Sequence, residues 1–199
     1  MRNVPKLLVF LILVGSGMWA SVAVAEPPAR AWHAFAGNGS TVANSSRLYL
    51  FGGAGSNWQT LSDFWYYRVD TLTWTVAPTG SSKPGPRVHA GFSCGAGQCV
   101  TSGGAYASPL KQTWTYTEAT GTWFKMNCKR FLCPSARMMS TMAYDPSHSY
   151  HVLFGGLSGR LSLNDTFTFT AGRWTARTPA AKPSARDRAA ATFVAGIVN

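Results

Sequence analysis

Four cysteines form two matching pairs: Cys94 and Cys99 flank Gly-Ala-Gly-Gln, and Cys128 and Cys133 flank Lys-Arg-Phe-Leu. Two C-x4-C spacings suit either two local disulfides or one four-thiolate zinc site. A glycine doublet closes the stretch RLYLFGG, Arg47 to Gly53. Glycines ending a strand either cradle a phosphate or mark a close backbone approach. The phosphate reading fails, because no Gly-Lys-Ser/Thr comes after the doublet and no helix start is visible. His33, His89, His148 and His151 are scattered. His33 and His89 fall at nearly equivalent places in an internal repeat. A metal held between them competes with the commoner role of a satisfied interior histidine. The seven carboxylates are Glu26, Asp63, Asp70, Glu118, Asp145, Asp165 and Asp187, and none makes a convincing pair for hydrolysis. No nucleophile elbow supports a Ser-His-Asp arrangement. No catalytic, cofactor-binding or metal-ligating set is therefore assigned.

The elements that position these groups are β-rich. Aromatic residues make up 13% of the 199, with eight tryptophans, which argues for a packed core and against disorder. The N-terminus is separate in character. Arg2 and Lys6 precede the apolar run Leu7 to Val14, and Ala23-Val24-Ala25 supplies a small-x-small site. This is the pattern of a secretory signal peptide over residues 1–25, with an uncleaved signal anchor as the competing reading. Either reading places the remainder outside the cytosol. That remainder carries 16 basic and 7 acidic residues, near +9. The positive balance is first of all a solvated basic surface. As a guide to partners it favours anionic glycans, cell-surface polymers or acidic proteins over nucleic acid.

Three markers recur with one period. Glycine doublets stand at Gly52/Gly53, Gly103/Gly104 and Gly155/Gly156. An aromatic and then a tryptophan come after each: Tyr67 and Trp74, Tyr116 and Trp123, Phe169 and Trp174. Pro-x-x-Arg recurs at Pro27/Arg30, Pro84/Arg87, Pro134/Arg137 and Pro183/Arg186. The period is near 50 residues. An apolar strand ending in Gly-Gly, then Tyr, six residues and Trp, resembles the kelch repeat. YRVDTLTW and YTEATGTW fit it fully; FTAGRW is shorter and has Phe for Tyr. Ser102 stands where the other copies have Phe51 and Phe154.

The resemblance implies an all-β, kelch-type β-propeller built of four-stranded antiparallel blades. Blades are expected over about residues 30–78, 87–127 and 137–178, with 186–199 as the first strand of a fourth. The alternation in Thr113–Thr117 reads as a half-buried strand. The doublets are expected to end second strands where neighbouring blades crowd the axis. Trp74, Trp123 and Trp174 are expected to fill the space between blades. The four arginines start the innermost strands, where Asp63 and Asp165 can join them in a charge network between blades.

The blade arrangement also separates the cysteine pairs, which fall at opposite ends of a blade, roughly 17–20 Å apart. That distance rules out shared zinc and predicts Cys94–Cys99 and Cys128–Cys133 disulfides, in keeping with export. Three blades and one strand leave an open ring. This suggests a fragment of a longer propeller, or self-association of copies. Asn38, Asn44 and Asn164 begin N-x-Ser/Thr sequons. The function expected is a secreted binding or scaffold propeller, recognising a protein or glycan through blade-connecting loops, without a cofactor and without a membrane partner unless the signal stays uncleaved. The alternative is the N-terminal part of an exported kelch enzyme, such as a galactose-oxidase-like copper oxidase, although no copper ligands map onto this sequence.

Overall fold

A computed structural model of the chain describes residues 25–40, 45–128 and 133–194. Apart from Ala25, the expected signal peptide lies outside these residues, as does the sequon at Asn44. Among the described residues every regular element is a β-strand. Blade 1 contains β1 (Arg30–Ala31), β2 (Ala34–Gly37), β3 (Arg47–Gly55), β4 (Thr60–Arg68) and β5 (Thr73–Val76). Both β1 and β2 pair with β3, so they are two pieces of one broken inner strand. Blade 2 contains β6 (Gly91–Gly95), β7 (Gln98–Ser102), β8 (Thr113–Thr117) and β9 (Thr122–Lys125). Blade 3 contains β10 (Thr141–Asp145), β11 (Tyr150–Ser158), β12 (Leu161–Thr170) and β13 (Arg173–Arg177). Each sheet is antiparallel with strands in chain order. The inner strand β6 lies between β2 and β10. The chain therefore adopts the expected all-β fold: three four-row blades side by side, a partial kelch propeller.

Residues 186–194 extend past blade 3 without forming a strand. They are held by backbone hydrogen bonds from Arg186 N to Leu163 O (3.0 Å) and Arg188 N to Met139 O (3.0 Å). A ladder needs a second strand on its outer side, and no described segment lies there.

The glycine doublets have a definite task. Gly53 N–H donates to Arg87 O (2.9 Å), Gly104 N–H to Arg137 O (2.9 Å) and Gly156 N–H to Arg186 O (3.0 Å). Each bond crosses from one blade to the arginine opening the next inner segment. A Cβ on Gly103 would overlap Arg137 O, and one on Gly52 would lie 2.6 Å from Arg87 O. Both glycines also hold left-handed φ angles, +69° and +61°. The doublets do not end every second strand, however. β3 and β11 run on to Gly55 and Ser158 through a register shift at the doublet, and only β7 stops before it. A bulge absorbs the crowding without ending the ladder.

The arginines work on both sides of the same seam. Each side chain turns into its own blade: Arg30 grips Asp63 with two bonds of 2.7 Å, and Arg137 grips Asp165 at 2.6 and 2.7 Å. The ion pairs thus lie within blades, and the backbone amides join one blade to the next. Burial works against the Asp63 carboxylate, but bonds from Arg30 and the Trp65 indole outweigh it and hold its pKa below the ordinary value. Arg87 differs. It is buried, and its acidic counterpart is replaced by Gln112, whose Oε1 accepts at 3.1 Å. Burial without a carboxylate lowers the Arg87 pKa to about 10. Arg186 is exposed, and among the described residues its side chain bonds Ser184 alone.

The two interblade contacts have different chemistry. Between blades 1 and 2, Trp123 packs on Phe51 and Phe64 at 5.6 and 5.0 Å, and Tyr116 meets Phe64 edge-on at 4.8 Å. Between blades 2 and 3 the counterparts of Phe51 and Phe64 are Ser102 and Thr113. Here the Trp174 indole donates to the Thr113 hydroxyl (3.1 Å), and Ser93 Oγ shares a hydrogen bond with His151 Nδ1 (2.9 Å). Trp74 departs from expectation. It is only half-buried, against Phe35 and Tyr67 of its own blade, because no described blade precedes it. Each tryptophan packs on the blade before its own, so the first has nothing to cover it.

Three measurements check these contacts. Gly103→Ala combines left-handed strain with a backbone clash and should cost roughly 3 kcal/mol or more. Gly97→Ala, at φ +72° in open space, should cost only about 1 kcal/mol; urea denaturation of both variants reads the difference. Gln112→Asp gives Arg87 the carboxylate its counterparts have and should raise stability by about 2 kcal/mol, seen as a higher Tm. Finally, burial lowers the His151 pKa to about 4. The folded state keeps this imidazole neutral while the unfolded chain protonates near 6.5. Stability is therefore full above pH 6.5 and falls as pH drops toward 4, by about 3 kcal/mol across that window. His151→Phe should flatten the urea midpoint against pH in that interval.

Candidate ligand-binding face

The kink in each inner strand falls two residues after its arginine. Trp32, His89, Met139 and Arg188 all hold φ between +55° and +58°. None of these side chains favours a left-handed backbone, so the surrounding fold imposes it. The constraint is visible in the hydrogen bonds. His89 N–H donates to Trp32 O (2.9 Å), Met139 N–H to His89 O (2.9 Å) and Arg188 N–H to Met139 O (3.0 Å). Consecutive inner segments are thereby laced together, and four side chains are brought to one end of the axis.

Two of them, Trp32 and His89, make a ring row with a further residue, and Arg188 acts on His89 through its charge. Trp58, in the β3–β4 turn and itself at φ +59°, is 69% exposed. Its ring lies 5.2 Å from that of Trp32, which is 48% exposed. Trp32 in turn lies 5.1 Å from His89. Burial, and then the charge of Arg188, lower the His89 pKa. Burial and Arg30 act in the same way on His33. Trp32, and not His33, is the repeat counterpart of His89, so the two histidines are not the equivalent pair that the sequence suggests. Among the described residues no group of three or more His, Cys, Asp or Glu is placed to hold a metal.

The blade-connecting loops end on the same side. The Cys128–Cys133 bond (S–S 2.06 Å) sits in the connection between blades 2 and 3. The Cys94–Cys99 bond (2.05 Å) joins directly paired residues of β6 and β7 at the other end. At that other end a cavity of about 1050 Å³ opens between the inner strands, bordered by Phe35, Asn38, Phe92, Glu118, Tyr144 and Phe193. Asn38 is fully engaged there. Its amide donates to Ser45 O and Glu118, and its oxygen accepts from the Ser40 and Arg47 amides. Asn164 accepts from Lys182 at 3.4 Å.

The sequence marks the repeat arginines but not the residues two positions beyond them. That fixed offset was the available signal for the row. It carries no common residue type, only a common position.

The match with known proteins agrees with this architecture. The model of a KLHDC2/KLHL20/DRC7 Kelch-repeats domain matches residues 6–196. No curated protein matches the chain. With the domain model covering nearly the whole sequence, and three blades stitched in the repeat's own register, the chain belongs to the kelch-repeat family.

Proposed function

We propose that this protein is an exported kelch-repeat binding scaffold that recognises a protein or glycan ligand on its loop-bearing face. The observation that carries the reading is the row Trp58, Trp32, His89 and Arg188. Two large exposed indoles in contact, beside a cation, form a surface with more apolar area than solubility calls for. Trp32 is fixed by the laced inner strands, and Trp58 packs on it from the β3–β4 turn, whose Trp58 N–H donates to Gly55 O, as a recognition surface requires.

Export rests on different residues. Arg2 and Lys6, the apolar run from Leu7 and the small residues at Ala23 and Ala25 fit a cleaved leader. Two closed disulfides suit an oxidising compartment. Among the described residues no three His, Cys, Asp or Glu side chains converge and all four cysteines are paired, so nothing here favours the copper-oxidase alternative.

Binding to a mixed array of glycans and extracellular proteins tests the proposal. Trp58→Ala should lose the signal by tenfold or more. Leu72→Ala, 72% exposed in the β4–β5 turn at the opposite end, should keep it. Equal binding by both variants, or no binding by the parent, defeats the reading. Mass spectrometry of the protein from the culture medium should find a chain beginning at Glu26.

A further inference from the structure

Charge is unevenly placed on this molecule. At the loop-bearing end stand Lys83, Lys111, Arg160, Lys182, Arg186 and Arg188. Of these, only Arg188 forms an ion pair with a described carboxylate, Asp187. The carboxylates at the same end are largely used. Asp63 and Asp165 are bound to arginines, and Asp187 to Ser162 and Arg188. Only Glu26 there lacks a partner among the described residues. At the opposite end each carboxylate faces a base: Asp70 with Arg68, Glu118 with Arg47, Asp145 with His148. Among the described residues, lysines and arginines without a carboxylate partner therefore gather at the loop-bearing end.

From this placement we infer that the row Trp58–Trp32–His89, with Arg188 and the lysines and arginines of the same end, forms a site for an acidic polysaccharide, a polymer of uronic acid residues. This inference rests on the binding-scaffold reading and names the ligand class. A uronic acid residue offers a flat C–H face for an indole and a carboxylate at its edge for a cation. The ring-to-ring steps of 5.2 and 5.1 Å along the row are comparable to one pyranose unit. The cations of this end stand in separate loops, spread out as repeated charges along a polymer require.

An acidic peptide fits less well. Peptides commonly dock on sheet proteins by pairing with free backbone groups. At this mouth those groups are already spent: Trp32 O, His89 N and O, Met139 N and O and Arg188 N all bond one another. The surface left over is made of side chains, flat and aromatic at one end and cationic at the other.

The test is a tryptophan-fluorescence titration of the intact protein with three probes: a galacturonic acid hexamer, maltohexaose as its uncharged counterpart, and hexaglutamate. The galacturonate should bind at least tenfold more tightly than either, and its affinity should fall as salt rises. Trp58→Ala and the double variant Arg186→Gln/Arg188→Gln should each weaken it tenfold or more while leaving the Tm within a few degrees of the parent. Equal binding of maltohexaose, equal or tighter binding of hexaglutamate, or indifference to both variants overturns the inference. If the array detects a Trp58-dependent ligand while galacturonate fails, the scaffold reading stands and the uronate assignment falls. If neither binds, both fall.

Discussion

The whole arrangement depends on one hydrogen bond made three times: a glycine amide to the carbonyl of the next repeat's arginine. It brings two backbones so close that a methyl group has no room. Of the three arginines that accept it, Arg87 and Arg137 turn their side chains into their own blades, onto Gln112 and Asp165. The inner segment must then kink two residues later to stay within reach of its neighbour. Four residues of unrelated type accept a left-handed backbone for that reason. The recognition row is a by-product of the stitch: side chains are presented where the chain is forced to bend.

Much of this architecture was legible. Period, blade count and strand content can be read from glycine doublets, tryptophans and alternation such as Thr113–Thr117, because sheets write their faces into sequence with a period of two. The features that escaped were contextual. Trp74 has the same motif position as Trp123 and Trp174, yet its environment depends on whether another blade lies before it. The arginine–aspartate contacts could be drawn within or between blades from sequence alone, and only coordinates distinguish the two. Ser102 looked like a flaw in the repeat. Its paired neighbour Thr113 has a threonine counterpart in blade 3, where Thr166 faces Phe154, so Ser102 alone departs from both other copies, and Trp174 bonds the Thr113 hydroxyl beside it.

The recognition row was less legible for a physical reason. Trp32, His89, Met139 and Arg188 share a backbone geometry and nothing else. Position-specific function of this kind is expected on repeats, whose structural residues recur while exposed ones diverge. Trp58 carries even less of a signal, being one turn residue among many. Its importance comes from a 5.2 Å contact with a residue 26 positions away in sequence.

The unlike chemistry of the two blade junctions has a mechanical outcome. One is an aromatic wedge, edged by the Glu118 contacts with Asn38 and Arg47. The other joins Val100 to an apolar cluster of blade 3 and adds hydroxyls and a neutral imidazole, groups that water and acid can each compete for. Under stress the molecule should therefore part along a preferred line, with the third blade separating while the first two remain joined. Such a sub-global opening divides the row unequally: both tryptophans and His89 stay with the larger piece, and the cation at the far end departs.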